Sequence, residues 1–161
     1  MKIHMISATG TGPTQLAAFY DAINNAGVAN YNLIPLSSVI PPATEIVHCD
    51  SYPAPATLTY GDVLFVVMSQ QRETTAGKAA WAGLGWSHDK VGGGWFVELH
   101  DESEEKVRQD IFSTLNAMTQ DTTRGFQPVQ HKIVGIECTG QPVCSVVIAV
   151  FGSRGWSSNE D

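Results

Sequence analysis

Two adjacent serines, Ser37 and Ser38, stand between an apolar run and a Val-Ile-Pro-Pro stop in "YNLIPLSSVIPP". A serine hydroxyl lies close to the carbonyl carbon of the residue before it. Ser38 Oγ could therefore attack Ser37 and turn the amide between them into an ester, provided a donor stabilises the developing oxyanion. Taken alone, the pair reads as an ordinary turn. The other candidates are weaker. "ATGTGPT" offers glycines ahead of a helix, as phosphate loops do, but it lacks GK[ST] and a third spaced glycine, so a plain strand-to-helix turn is the better reading. His4, His48, His88, His100 and His131 form no HxxxH or HExxH pair, and no GxSxG elbow is present. Neither a metal site nor a hydrolase triad is indicated.

The whole chain narrows the choice further. Its 161 residues, 43% of them hydrophobic, suffice for one domain with a substantial core, and no repeat or linker divides positions 1–161. A formal charge of -7 leaves no basic patch to release counterions from nucleic acid or an anionic membrane, so small molecules or proteins are the expected partners. Cys49, Cys138 and Cys144 are odd in number and lack CxxC spacing, which favours free thiols in a reducing compartment. No stretch approaches the ~20 apolar residues of a membrane span, and the N-terminus lacks a signal-peptide core. A cytoplasmic protein is expected.

The elements that must position the candidates follow from periodicity. "KIHMISA" alternates as a half-buried strand, which "TGTGPT" should break. "PTQLAAFYDAINNAG" spaces Leu16, Phe19, Ile23 and Ala26 helically, with Pro13 suited to the first turn and Gly27 to the C-terminal cap. "NYNLIPLSS" is strand-like, but Pro35 demands an edge or a bend. A short strand near "TEIVH" and clear strands at "DVLFVVMSQ" and "GGGWFVELH" follow, while "GKAAWAGLGWS" fits either a strand or a small-residue helix. Ser103 caps a second helix with Val107, Ile111, Leu115 and Met118 on one stripe. "HKIVGIECTG" and "PVCSVVIAVF" should close the chain as a hairpin. Two helices and six or seven strands predict an α+β fold of mixed sheet layers flanked by helices, an αββα-type sandwich.

In "NAGVANYNLIPLSSVIPPATEIV", with "GGGWFVELH" at a distance, an Ala-Gly, an Asn-Leu-Ile, a Ser-Ser, a Pro-Pro and a later Glu occur in an order that resembles the pyruvoyl-dependent arginine decarboxylase family. The resemblance runs from "SATGTGPTQLAAF" through "FVELH". It implies self-cleavage between Ser37 and Ser38 into residues 1–37 and 38–161. Ester formation, elimination and hydrolysis with loss of ammonia then leave a covalent pyruvoyl group where Ser38 stood. Such a carbonyl acts as the electron sink in amino-acid decarboxylation, here of arginine to agmatine and CO2. The resemblance makes Asn32 the oxyanion donor during cleavage and Glu98 the catalytic proton donor. It also implies a homotrimer or a dimer of trimers with sites between subunits.

Three points test these assignments. Strand alternation sends Phe96, Glu98 and His100 to one face, although Glu98 without the resemblance would read as a solvent-facing edge residue. Asn32, if its strand is extended, lies roughly 17 Å from the scissile bond, so either the chain bends at Pro35 or Asn32 serves a neighbouring subunit. The family places an acid directly after the helix Phe to pair with the guanidinium. This chain has Phe19, then Tyr20, then Asp21, which leaves Asp21, Tyr20 and Ser37 as candidate substrate contacts. Two alternatives stay open: the same chemistry on another amino acid, and an unprocessed relative with a structural or regulatory role.

Overall fold

The computed structural model describes residues 1–120 and 123–156. Its elements run β1 (Lys2–Thr11), α1 (Gln15–Asn25), β2 (Asn32–Pro35), β3 (Val39–Ile40), β4 (Glu45–Cys49), β5 (Val63–Glu73), β6 (Ala79–His88), β7 (Gly94–Asp101), α2 (Glu104–Thr119), β8 (Gln130–Glu137) and β9 (Val143–Arg154). A five-stranded sheet ordered β2-β5-β9-β1-β4 packs on a four-stranded sheet ordered β3-β7-β6-β8. Among the described residues, parallel pairing occurs only at the two edges of the larger sheet, β1 with β4 and β2 with β5. No helix among the described residues is long and apolar enough to cross a membrane.

Side-chain alternation along the strands builds three apolar layers. Ile6, Leu64, Val66, Val146 and Ile148 turn outward to meet Ala18, Ala22 and Ile23 of α1. Met5, Val67, Val147 and Ala149 turn inward against Leu84, Trp86 and Phe96 of the smaller sheet. Val97 and Leu99 face away from that core toward Val107, Ile111 and Leu115 of α2. The order of layers is thus α1, five-stranded sheet, four-stranded sheet, α2, which is the αββα sandwich.

Both helices begin at a capping residue that their sequences supply, and α1 also ends at one. Thr14 caps α1 through Oγ1, which accepts from the Ala17 N–H at 3.1 Å, and Pro13 stands before this cap rather than in the first turn. Gly27 (φ +78) closes α1, its N–H donating to the Asn24 carbonyl while the Val28 N–H donates to that of Ile23. Ser103 caps α2, followed by Glu104 and Glu105 where the helix dipole favours acids.

Several expectations are corrected. The first strand runs through Gly10 and stops at Thr11, so the break in "TGTGPT" falls at Gly12 and Pro13 and both glycines have a further task. They let α1 approach: a Cβ on Gly10 would lie 2.2 Å from the Ala22 nitrogen, and one on Gly12 would lie 2.7 Å from the Ala18 nitrogen. For the same reason α1 packs through alanines, and Leu16 is 67% exposed rather than on the buried stripe. Met118 likewise stands outside the α2 core. "GKAAWAGLGWS" is strand β6, whose Gly83 and Gly85 make room for Val107 and Ile111. The closing pair is no hairpin, because β8 joins the four-stranded sheet and β9 the five-stranded one.

Candidate active site

The chain changes sheets at the serine pair. β2 is an edge strand, as Pro35 requires, and its pairing with β5 runs past the proline: the Leu36 N–H donates to the Val66 carbonyl at 2.8 Å. Two residues later the Phe96 N–H donates to the Ser38 carbonyl at 2.8 Å, and Val39 and Ile40 continue antiparallel to Trp95 and Gly94. The Ser37–Ser38 peptide therefore bridges the edges of two sheets. Ser38 has φ +68, a left-handed conformation that costs a non-glycine residue roughly 1–3 kcal/mol and persists only when its surroundings impose it. Here sheet pairing on both sides does so.

At this crossing the Ser38 hydroxyl donates to Glu98 Oε1. Glu98 reaches it because β7 alternates: Val97 and Leu99 turn to α2, while Phe96 turns to the inter-sheet core and Glu98 follows on the same face. A buried staple holds β7 in place. Ser69, 2% exposed on β5, donates from Oγ to the Leu99 carbonyl at 2.6 Å and accepts from the Gly83 N–H at 3.3 Å. Sequence reasoning did not single out Ser69, although a serine one alternation after the inward-facing Val67 was the available signal.

The β6–β7 turn supports the chain beyond Ser38. Asp89 Oδ1 accepts from the Val91 and Gly93 N–H groups, each at 3.0 Å, and Oδ2 from Arg124 Nε at 2.7 Å. The Val91 carbonyl in turn accepts from the Ala43 N–H at 3.1 Å. A Cβ on Gly93 would come within 3.3 Å of the Ile40 carbonyl oxygen, so residues 40–43 lie directly on the turn.

The other candidates are not brought together within one chain. Asn32 donates its side-chain N–H to the Gly61 carbonyl at the far end of β2, and the extended pairing through Leu36 excludes the bend that would bring it to its own Ser37. Asp21 accepts from the Thr11 N–H at 2.9 Å, and Tyr20 is 57% exposed. Both belong to α1, so the five-stranded sheet separates them from the inter-sheet face that holds Glu98. Ser37 is exposed, next to Ser38. No group of three or more His, Cys, Asp or Glu is placed to hold a metal ion among the described residues.

A hydroxyl held against a carboxyl group on a strained, two-sided bridge is an arrangement that can supply a nucleophile with a proton acceptor beside it. The family model for pyruvoyl-dependent arginine decarboxylases matches residues 2–154. A Halobacterium salinarum protein named pyruvoyl-dependent arginine decarboxylase is 31% identical over 156 residues, covering 94% of each chain. A Methanosarcina mazei protein named pyruvoyl-dependent arginine decarboxylase 1 is 32% identical over 124 residues, covering 70% of this chain and 74% of its own. A Thermoplasma volcanium relative of the same description is 30% identical over 127 residues, covering 77% of this chain and 69% of its own. The chain belongs to the pyruvoyl-dependent arginine decarboxylase family, a family of carboxy-lyases with a covalently bound pyruvoyl group. The residues present fit that group: a serine stands immediately before β3, its hydroxyl meets the Glu98 carboxyl group, and the residue before it, Ser37, is exposed.

Asp89 ties the site's support to pH. Burial opposes its ionisation most strongly, but hydrogen bonds from Arg124, Val91 and Gly93 and the Arg124 charge outweigh it, so its carboxyl lies below the usual value of 3.8. A depressed folded-state value contributes stability that is fully present above pH 3.8 and is lost as pH falls through the folded value. Asp89→Asn should lower the melting temperature at neutral pH. Melts at stepped pH should show the gap between wild type and variant constant down to about pH 5 and narrowing below 3.8; a gap that widens on acidification would contradict this assignment.

Proposed function

We propose that the chain cleaves itself between Ser37 and Ser38 and then, through the pyruvoyl group formed from Ser38, converts arginine to agmatine and CO2. The observation that carries the reading is the Ser38 hydroxyl donating to Glu98 at the strained crossing between sheets. Attack by Ser38 Oγ on the Ser37 carbonyl carbon forms the ester C–O bond and breaks the C–N bond. The hydroxyl proton passes to Glu98 Oε1, and the freed nitrogen takes up a proton as the amine. Elimination across Ser38 then releases residues 1–37 with a terminal carboxylate, and hydrolysis of the dehydroalanine sheds ammonia. In turnover the pyruvoyl group supplies an electrophilic carbonyl that accepts the electrons left by departing CO2.

Glu98 serves both halves of the cycle. It takes the hydroxyl proton in maturation and returns a proton to the carbon that has lost CO2. The oxyanion donor comes from Asn32 of a neighbouring copy, since its own strand holds it away from its own bond. That requirement makes the working enzyme an oligomer, in our reading a homotrimer or a dimer of trimers acting in the cytoplasm on a small amino acid. A second reading, the same chemistry on another amino acid, is favoured by one observation: the nearest acid to the expected guanidinium partner, Asp21, accepts from the Thr11 N–H on the far side of the larger sheet.

Maturation and turnover separate experimentally. Ser38→Ala should stay one chain on a denaturing gel and release no CO2. Asn32→Ala should cleave about 10² to 10³-fold more slowly, the cost of removing one decisive oxyanion donor. Glu98→Gln should slow cleavage, and its cleaved fraction should turn over poorly. Normal rates of both steps in Glu98→Gln would remove Glu98 from the chemistry.

Substrate choice is read by CO2 release from arginine, citrulline, lysine, ornithine, aspartate and histidine. Arginine should exceed citrulline, which has nearly its shape but no charge to pair. Preference for an acidic or uncharged amino acid would refute arginine while leaving the cleavage reading intact. Asp21→Asn should lower kcat/KM for arginine several-fold if an Asp21 of the neighbouring copy holds the guanidinium; unchanged kinetics would place that contact elsewhere.

A further inference from the structure

We propose that Trp156 is a positioning residue for self-cleavage: its indole N–H and the Asn32 side-chain amide donate to the same carbonyl oxygen, that of Gly61, so the indole sets how Asn32 presents its remaining N–H. The inference rests on the reading of Asn32 as the oxyanion donor. Trp156 lies beyond the residues that the family model matches, 2–154.

Trp156 is not a core residue. Its side chain is 71% exposed, yet both of its nitrogens are engaged by one loop. Nε1 donates to the Gly61 carbonyl at 2.8 Å, and the backbone N–H donates to Asp62 Oδ1 at 3.2 Å. The loop is itself closed around Asp62, which is 4% exposed: Oδ2 accepts from the Thr59 N–H at 2.8 Å and from the Thr59 hydroxyl at 3.2 Å. Its carbonyl accepts from the Asn32 N–H at 2.8 Å. Gly61 sits at φ +88, where a side chain would be strained, and its N–H donates to the Asn30 carbonyl at 2.8 Å. Asn32 is therefore gripped at backbone and side chain by a loop that Trp156 fastens from outside.

The consequence for cleavage follows from hydrogen-bond capacity. A carbonyl oxygen has two lone-pair directions, and Gly61 spends one on the indole and one on Asn32. An amide NH2 has two N–H groups in fixed planar geometry, so holding one aims the other. An oxyanion donor works by being aimed before charge develops. With the indole N–H absent, the second lone-pair direction passes to water and the loop loses a fastening. The Asn32 amide then spends less time in the productive orientation.

The test follows cleavage of freshly made full-length chain on denaturing gels for wild type, Trp156→Phe, Trp156→His, Asn32→Ala and the Trp156→Phe/Asn32→Ala double variant. Phenylalanine removes the N–H and keeps a ring. Histidine keeps a ring N–H the same number of bonds from the backbone. Trp156→Phe should cleave about 3- to 10-fold more slowly, the worth of one such hydrogen bond. Trp156→His should approach the wild-type rate, and Trp156→Phe should add nothing once Asn32 is alanine. Melting temperatures should stay at the wild-type value, and a phenylalanine variant that melts far below it would overturn the proposal by making Trp156 a fold determinant. Wild-type cleavage in Trp156→Phe, equal slowing in the Asn32→Ala background, or a histidine variant as slow as phenylalanine would also overturn it. The reading of Asn32 fails separately, if Asn32→Ala alone cleaves normally.

Discussion

One peptide link, between Ser37 and Ser38, is held from both ends by different sheets. Upstream, Leu36 is pinned to β5 of the larger sheet; downstream, the Ser38 carbonyl is pinned to β7 of the smaller one. The crossing leaves no room for a relaxed conformation, and Ser38 takes a left-handed φ of 68°. The same anchoring on β7 delivers Glu98 to the hydroxyl. The Ser69 staple and the Asp89-centred turn then serve one end, keeping β7 and residues 40–43 from relaxing away from the bridge. The strained backbone and the meeting of hydroxyl and carboxyl group thus arise from a single constraint.

The architecture also accommodates a cut at this point. Residues 1–37 would carry β1, α1 and β2. In the larger sheet β1 lies between β9 and β4, and α1 buries its alanines on that sheet. The shorter piece would stay threaded through the core of the longer one, held by backbone hydrogen bonds and apolar contacts that a break between sheets does not touch.

Local signals carried much of the fold. The capped ends of α1 and α2 and the apolar run of β5 were legible because capping and periodicity act over a few residues. Sheet membership was not, since "HKIVGIECTG" and "PVCSVVIAVF" read as a hairpin by proximity yet pair with strands from opposite layers. Glycine was ambiguous for a related reason: Gly10 looks like a breaker until the helix backbone packed against it is known. In the site, Ser38 and Glu98 were named from a resemblance, and the structure brings them into contact across sixty residues of chain. Asn32, which rests on the same resemblance, and Asp21, a candidate because the chain departs from the family pattern at Tyr20, stay apart from that pair, as the strand and the sheet between them dictate. Ser69 and Trp156 bond backbone atoms of distant segments, and Asp89 joins its own turn to the Arg124 side chain, which no spacing in the sequence displays.

The central claim is that Ser38 is consumed to make the catalytic carbonyl. Intact-mass analysis of the purified protein under denaturing conditions tests it most directly. Two chains are expected, residues 1–37 ending in an ordinary carboxylate and residues 38–161 lacking a free amino terminus. Their summed mass should equal the precursor plus one water minus one ammonia. A single uncut chain, or a second fragment that retains a serine amine so that the sum exceeds the precursor by a whole water, would contradict it.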